Sequence, residues 1–198
     1  MKKILAVTAL ITAIALSGCT SQNNSEPIAA KPTTSASPKP KAVSTEPDGS
    51  RAHPYLAGTK ALLAKGSVFT IGFQPSNLNA SDAVMKENQF NKIIDGHSPV
   101  LAPVTVSISD GGGQDLSGGV DIWTNLTFEF VTAAGRSYGD SGSSNCGVYP
   151  SQMSDVGTLY VGATAEANVC AQVPSDQIAG GAWAVSNGKG EKLFFKTA

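Results

Sequence analysis

The sequence predicts an all-β protein, an antiparallel β-sandwich of about seven strands. Short segments after residue 68 alternate apolar and polar residues with a period of two, the pattern of strands with one buried face. Clusters of Gly, Asp, Ser and Asn separate these segments, as turns require. The chain of 198 residues contains 21 Gly and 11 Pro, while charged residues make up 15%, a composition that favours a turn-rich extracellular β protein.

The predicted strands follow in order from residue 69 onward. They lie at residues 69–73, 104–109, 126–130, 158–161, 169–173, 183–185 and 193–195. Trp183 shares the inward parity of Val185 and is expected in the core. A turn is predicted at residues 134–136, and Asn187-Gly188 predicts a two-residue hairpin before the last strand. Residues 81–94 are a short helix or an ordered loop, with Ser81 as the cap and Gly96 as the end.

The N-terminal residues have the features of an export signal. Lys2 and Lys3 precede an apolar run at residues 4–16, which is shorter than the ~20 residues of a membrane-spanning helix. The sequence Leu16-Ser17-Gly18-Cys19 then resembles a bacterial lipobox. This resemblance implies a signal peptide at residues 1–18, cleavage before Cys19, and acylation of Cys19 with diacylglycerol and a further fatty acid such as palmitate. The alternative is an ordinary signal peptide in which Cys19 has no role.

Composition divides the remaining chain into a tether and one domain. Residues 19–57 are rich in Pro, Ser, Thr, Ala and Lys, and they have too few large apolar residues to offset the entropy of ordering. This segment is therefore predicted to be a disordered tether that reaches through the envelope. Residues 58–198 are enough for one hydrophobic core and are predicted to form the sandwich.

Cys146 and Cys170 are the cysteines that remain once Cys19 carries lipid. An even pair in an oxidising compartment predicts a disulfide. Cys170 has the opposite parity to Val169 and Val173, so the bridge is expected to hold the Cys146 loop against the outside of a sheet. A redox-active pair is the alternative, but no C-x-x-C sequence is present.

Several segments of the domain resemble one known family. A glycine-flanked strand, a strand that ends at a Val-Pro corner and a closing strand are found at residues 157–162, 165–174 and 183–185, and an earlier strand with its Gly-polar-Tyr turn is found at 128–138. They resemble the telokin-like, "immunoprotective extracellular" domains of bacterial secreted lipoproteins. The resemblance implies an immunoglobulin-like β-sandwich on a lipid anchor, often of unknown function. The Gly-rich segment 111–119 and the segment around Trp123 depart from the family's pattern.

Two short motifs resemble catalytic or metal-binding sequences. Gly139-Asp140-Ser141-Gly142 matches the nucleophile sequence of trypsin-like proteases, which also requires a histidine as general base. His97 is the candidate base, but its turn-like sequence context does not fit that family. A Gly/Ser loop is therefore the favoured interpretation. The turn from Asp110 to Asp115, joined by Asp121, is either a cation site or a solvated turn; it lacks the ligand spacing of an EF-hand loop.

The predicted function is that of a non-enzymatic binding or shielding module, lipid-anchored on the extracytoplasmic side of a bacterial cell membrane. Its partner, a protein or an envelope polymer, is unknown. A formal net charge of −1 gives no reason to expect nucleic acid, and no cofactor or metal is expected. Trp123 is the candidate contact residue if it is exposed, and burial under a neighbouring loop is the alternative. The alternative function is a small-solute or signal-binding lipoprotein that serves a transporter or membrane sensor.

Overall fold

The computed structural model of the protein describes residues 46–111, 113–139 and 142–198. The predicted signal peptide, Cys19 and residues 20–45 of the predicted tether lie outside the described residues. The described residues form an antiparallel β-sandwich, which confirms the predicted fold class. No helix in this part of the chain is long and apolar enough to cross a membrane.

The sandwich consists of two four-stranded sheets and a small two-stranded ribbon. The strands are β1 (Lys60–Leu62), β2 (Phe69–Phe73), β3 (His97–Ile108), β4 (Val120–Asp121), β5 (Leu126–Val131), β6 (Ser137–Gly139), β7 (Thr158–Leu159), β8 (Thr164–Pro174), β9 (Ala182–Asn187) and β10 (Lys192–Lys196). The helices are α1 (Ser81–Glu87) and α2 (Ile122–Asn125), each of one or two turns. The first sheet has the order β1-β2-β3-β8, the second has the order β10-β9-β5-β6, and β4 pairs with β7.

Aromatic side chains from both sheets meet at the centre of the core. Trp183, fully buried on β9, stacks on Phe73 of β2 with ring centroids 5.8 Å apart. Phe130 meets the same indole edge-on at 5.6 Å, and Phe195 lies 5.0 Å from Phe73. The indole N–H of Trp183 donates to Ser76 Oγ at 3.1 Å, so its polar atom is satisfied. The core position predicted for Trp183 is confirmed.

The two longest strands extend well beyond their apolar alternation. β3 and β8 pair in register from His97↔Pro174 to Ser107↔Thr164. The predicted strand begins at residue 104, where the alternation begins, whereas β3 begins at His97 and includes Pro99 and Pro103. On the side away from β8, Pro99 O accepts a hydrogen bond from Ala80 N–H and Pro103 O accepts one from Gln74 N–H. The N–H groups that the prolines lack would point to that same side, so the β3–β8 ladder loses no hydrogen bond.

Both predicted hairpin turns are present, and one has a different length. Residues 133–135 join β5 to β6, with Gly135 at a φ of +88°. The predicted two-residue turn at Asn187-Gly188 is instead a three-residue loop, in which Asn187 N–H bonds Glu191 O and Gly190 has a φ of +81°. The positive φ therefore falls on the last loop residue, as in a type I turn followed by a bulge.

The fourth predicted strand, residues 158–161, is strand only over β7. Its chain turns away at once, because Gly162 N–H bonds Ile108 O and Gly162 has a φ of +84°. Tyr160 and Val161 are consequently exposed at 58% and 49%. β1, β4 and β6 were not predicted, since two or three residues are too few to show an alternation.

Helix α1 covers the first half of the predicted segment 81–94. Ser81 does not cap it; the N-cap is Ala80, and Ser81 Oγ donates to Asn79 instead. The helix ends at Glu87, not near Gly96, because Asn88 adopts an extended conformation and its side chain accepts from the N–H of Phe90. Such an Asx-turn competes directly with helical hydrogen bonding.

The folded part of the chain begins before the boundary predicted at residue 57. Residues 49–55 run along the free edge of β10, where Phe194 N–H donates to Gly49 O and Lys196 N–H donates to Tyr55 O. The ring of Tyr55 packs against Phe195 with centroids 5.6 Å apart. The boundary is therefore wrong by about ten residues. The composition of residues 49–55 does not reveal this contact, because hydrogen bonds to the edge strand β10 use backbone groups and not particular side chains.

Candidate functional site

Cys146 and Cys170 form the predicted disulfide, with Cα atoms 6.0 Å apart. Cys170 lies on the face of β8 opposite Val169 and Ala171, so the bridge is outside the main core, as its parity predicted. Around it lies a second apolar group, here called the outer cluster. The buried members of the outer cluster are Ala80, Val84, Cys146, Tyr149 and Cys170.

Two amide side chains tie the loops of the outer cluster together. Gln172, 2% exposed, accepts from Ile94 N–H at 2.8 Å and donates to Lys92 O at 2.9 Å and Asn145 O at 2.7 Å. Asn91 donates to the carbonyls of Val84 and Val148 and accepts from Val148 N–H. The disulfide therefore belongs to a structural lock made of one covalent and several polar links.

Trp123 is 40% exposed, so of the two alternatives the exposed one holds. This exposure is that of a residue on a short helix, not of a strand residue that faces away from the core. Trp123 lies on α2, a single helical turn whose N-cap Asp121 accepts from Thr124 N–H at 2.8 Å. Its role as a contact residue stays a prediction.

The acidic turn does not assemble a cation site among the described residues. Asp121 Oδ1 is occupied in capping α2, and Asp115 Oδ1 accepts from Ser117 N–H at 3.0 Å. The hydrogen bonds from Ser117 lower the pKa of the Asp115 carboxyl below its ordinary value, since they favour the charged form. No group of three or more metal-ligating side chains occurs in the described ranges.

The protease-like sequence is partly outside the described residues, which exclude Asp140 and Ser141. His97, the candidate base, is the first residue of β3, and its Nδ1 lies 3.1 Å from the carbonyl of Asp95. That contact orients the ring toward its own turn.

An open cleft of about 730 Å³ is one of the concave sites among the described residues. It lies between residues 51–54 and the outer face of the second sheet. Val131, Ala182 and Lys196 form one cross-strand row of β5, β9 and β10 on this face, opposite the core row that contains Trp183. Phe194 shares the outer face and Pro54 covers it from the other side. The floor of the cleft is therefore largely apolar.

Two cations stand at the cleft, Arg51 and Lys196. Arg51 Nη2 donates to Ala133 O at 2.8 Å, and its guanidinium lies flat across the 133–135 turn. A Cβ on Gly135 would come within 2.9 Å of both terminal guanidinium nitrogens, so glycine is required for this approach. The ion pair found among the described residues joins Lys192 to Glu129, which leaves Arg51 and Lys196 without a carboxylate partner in that part of the chain.

Sequence reading missed the cleft and both of its cations. Arg51 falls in the segment assigned to the tether, and Lys196 follows the last predicted strand. A usable signal was present for one of them, because Lys196 has the outward parity on β10. Nothing in the local sequence links Lys196 to Arg51, which lies 145 residues earlier in the chain.

Comparisons with known proteins add little to this geometry. No family model matches the sequence, and no curated protein is significantly similar to it. A solved structure that it resembles is the 2.2 Å crystal structure of a conserved hypothetical protein from Bacillus anthracis. The two share 13% identity and a TM-score of 0.43, and the match covers 72% of this chain and 95% of the other. A likeness this distant carries no functional argument.

Proposed function

We propose that this protein is a lipid-anchored module on the extracytoplasmic side of a bacterial membrane, and that it binds an envelope component through the cleft without catalysing a reaction. The sequence Leu16-Ser17-Gly18-Cys19 after a short apolar run supports the anchor. The resemblance to telokin-like lipoproteins is part of the same proposal. The observation that carries the binding role is the cleft itself, an apolar floor with two cations that have no carboxylate partner among the described residues.

The shape of the cleft favours the binding module over a transporter's solute receptor. A solute receptor encloses its ligand, and an enclosed apolar cavity would support that alternative. The cleft is open to solvent along one side. An open cleft accommodates a group that stays attached to a larger body, such as a membrane or a wall polymer.

Replacement of Cys19 tests the anchor. In the Cys19→Ala chain no thiol is available for acylation, so the protein should not incorporate labelled palmitate. The matched control is the Cys146→Ala/Cys170→Ala chain, which keeps Cys19 and should incorporate palmitate like the parent. Incorporation of palmitate by the Cys19→Ala protein at the parent's level would contradict the anchor.

Binding by the cleft is tested on isolated envelopes with the Cys19→Ala chain as parent. Ala182→Trp fills the floor of the cleft, and Lys196→Glu reverses a charge at it while leaving the floor open. Both should lower the fraction that sediments with envelopes several-fold, whereas Trp123→Ala should leave it unchanged. Thermal melts check that each variant is folded. If Trp123→Ala alone lowers the sedimented fraction, the contact is the α2 surface and the cleft proposal is wrong.

A further inference from the structure

We infer that the cleft takes a small amphiphilic anion, a phosphate or carboxylate head group with an alkyl tail. This inference deepens the proposed function, on whose cleft it rests, and names the chemical class of the ligand. It follows from three properties of the cleft: a fixed guanidinium, a second cation in the same site, and an apolar floor beside them.

The guanidinium of Arg51 is already oriented before any ligand arrives. Its Nη2 hydrogen bond to Ala133 O and its position across Gly135 hold the planar group at the wall of the cleft. Arginine carries five N–H donors, and a single hydrogen bond to protein leaves several for a ligand. Because these donors form a flat fork, they match the paired oxygens of a phosphate or carboxylate. The loss of side-chain freedom on binding is correspondingly small.

Lys196 adds a second positive charge to the lining of the cleft. It stands at the end of the row Val131, Ala182 and Lys196, so its ammonium group belongs to the sheet while Arg51 belongs to the segment that crosses above it. Two cations without a carboxylate partner among the described residues favour an anion of the ligand over neutral sugars or peptides.

The apolar floor of the cleft indicates what the ligand carries beside its anionic head group. Ala182, Phe194 and Pro54 are each partly exposed and form the apolar surface next to the cations, whereas Val131, 7% exposed, is almost covered already. Inorganic phosphate alone would leave this surface in contact with water, whereas an alkyl tail would cover it at about 25 cal/mol per Å² of apolar surface removed from water. The volume of about 730 Å³ lies within the ~300–1,000 Å³ of ordinary small-molecule sites.

Octyl phosphate is the probe, because it combines a phosphate with a short alkyl tail. Octyl glucoside supplies the same tail without charge, and inorganic phosphate supplies the charge without a tail. The protein is the full Cys19→Ala chain, labelled with ¹⁵N. Since the apolar run at residues 4–16 can itself take up amphiphiles, binding is measured locally, from the amide shifts of Gly180, Gly181 and Ala182 during titration.

We expect octyl phosphate to shift these amides in a saturable way and to bind at least about tenfold more tightly than either comparison compound. Arg51→Gln and Lys196→Gln should each weaken binding about tenfold or more, since a hydrogen bond to a charged group is worth at least that factor. The matched control is Lys60→Gln, which removes a cation on β1 in the other sheet, and it should bind like the parent. Equal binding of octyl glucoside, or an equal loss in the Lys60→Gln chain, overturns the inference.

A second arm distinguishes the source of the head group. Vesicles of phosphatidylglycerol and of phosphatidylcholine are compared with free octyl phosphate by the same amide shifts. If anionic vesicles shift Gly180 and Gly181 and neutral ones do not, the ligand is a membrane head group; if free octyl phosphate alone does so, it is a soluble amphiphile. If neither shifts them while envelopes still retain the protein, the ligand class is wrong and the proposed function stands.

Discussion

The two faces of the first sheet are stabilised in different ways. Its inner face carries Ile71, Phe73, Val100 and Val104, each at most 1% exposed, against the aromatic side chains of the second sheet. Its outer face carries the outer cluster, where three buried side chains, Ala80, Val84 and Tyr149, surround the disulfide. Apolar burial alone holds the inner face. The outer face buries less apolar surface and adds the disulfide, Gln172 and Asn91.

This difference shows which face of a strand with two buried faces can be recognised from the sequence. Alternation identifies the inner face of β8, where Val169, Ala171 and Val173 recur. On the other face, Cys170 and Gln172 are just as buried, yet by residue type a glutamine would be assigned to solvent. A buried polar side chain is stable there because all its hydrogen-bonding groups find partners.

The largest effect is expected from breaking the inner face. Trp183→Ala removes the indole that stacks on Phe73 and meets Phe130, and it should lower the free energy of unfolding by about 3–5 kcal/mol, as aromatic truncations in cores do. Urea unfolding measures it. Trp123→Ala, which removes a tryptophan of 40% exposure, should stay within about 0.5 kcal/mol of the parent. Similar losses in the two variants would contradict the placement of the core.

A comparable but local effect is expected from breaking the outer face. Cys146→Ala/Cys170→Ala opens a loop with a sequence separation of 24 and should cost about 3–4 kcal/mol in the chain-entropy model. Hydrogen exchange should rise for residues 142–152 and stay slow in β2 and β9. Reductant should destabilise the parent and leave the double variant unchanged. Equal deprotection of β2 and β9 below the unfolding transition would show that the two faces are one unit.

Two deletions test whether residues 49–55, which cover the free edge of β10, stabilise the domain. Deleting residues 20–45 should leave the melting temperature unchanged. Deleting residues 20–57 also removes Gly49 and Tyr55, whose backbone bonds to Phe194 and Lys196 and whose ring contact with Phe195 should make the loss about 2–4 kcal/mol. Thermal and urea melts of the two deletions decide the matter. Equal stability of both would restore the boundary at residue 57.

The smallest effect is expected at Gln172. Gln172→Leu keeps the side-chain volume but leaves Ile94 N–H and the carbonyls of Lys92 and Asn145 without this partner, at a cost of about 1–3 kcal/mol. Exchange should rise first at Ile94. Gln89→Leu is the matched control on an exposed glutamine and should be neutral. If both replacements are neutral, the polar links do not hold the loops.

Much of the fold was predictable because the inner-face signal is local. Each strand of five or more residues contains its own alternation, and the parity of Cys170 within β8 sufficed to place the disulfide outside the core. The helix was predictable in position but not in length, since Asn88 offered the backbone a competing Asx-turn. The predicted hairpin at Asn187 was right in place and short by one residue, because Gly190, not Gly188, takes the positive φ.

The sequence by itself determined the longer strands, the sandwich class and the pairing of Cys146 with Cys170. Tertiary structure decided where the cleft lies and that residues 49–55 cover the free edge of β10. The reason is physical: alternation and cysteine number are properties of neighbouring residues or of simple counts, whereas Arg51, Val131, Ala182 and Lys196 converge because three strands and a crossing segment are packed in one register. No local preference encodes that register; it follows from burial of the opposite face, where Trp183 and Phe195 enter the core.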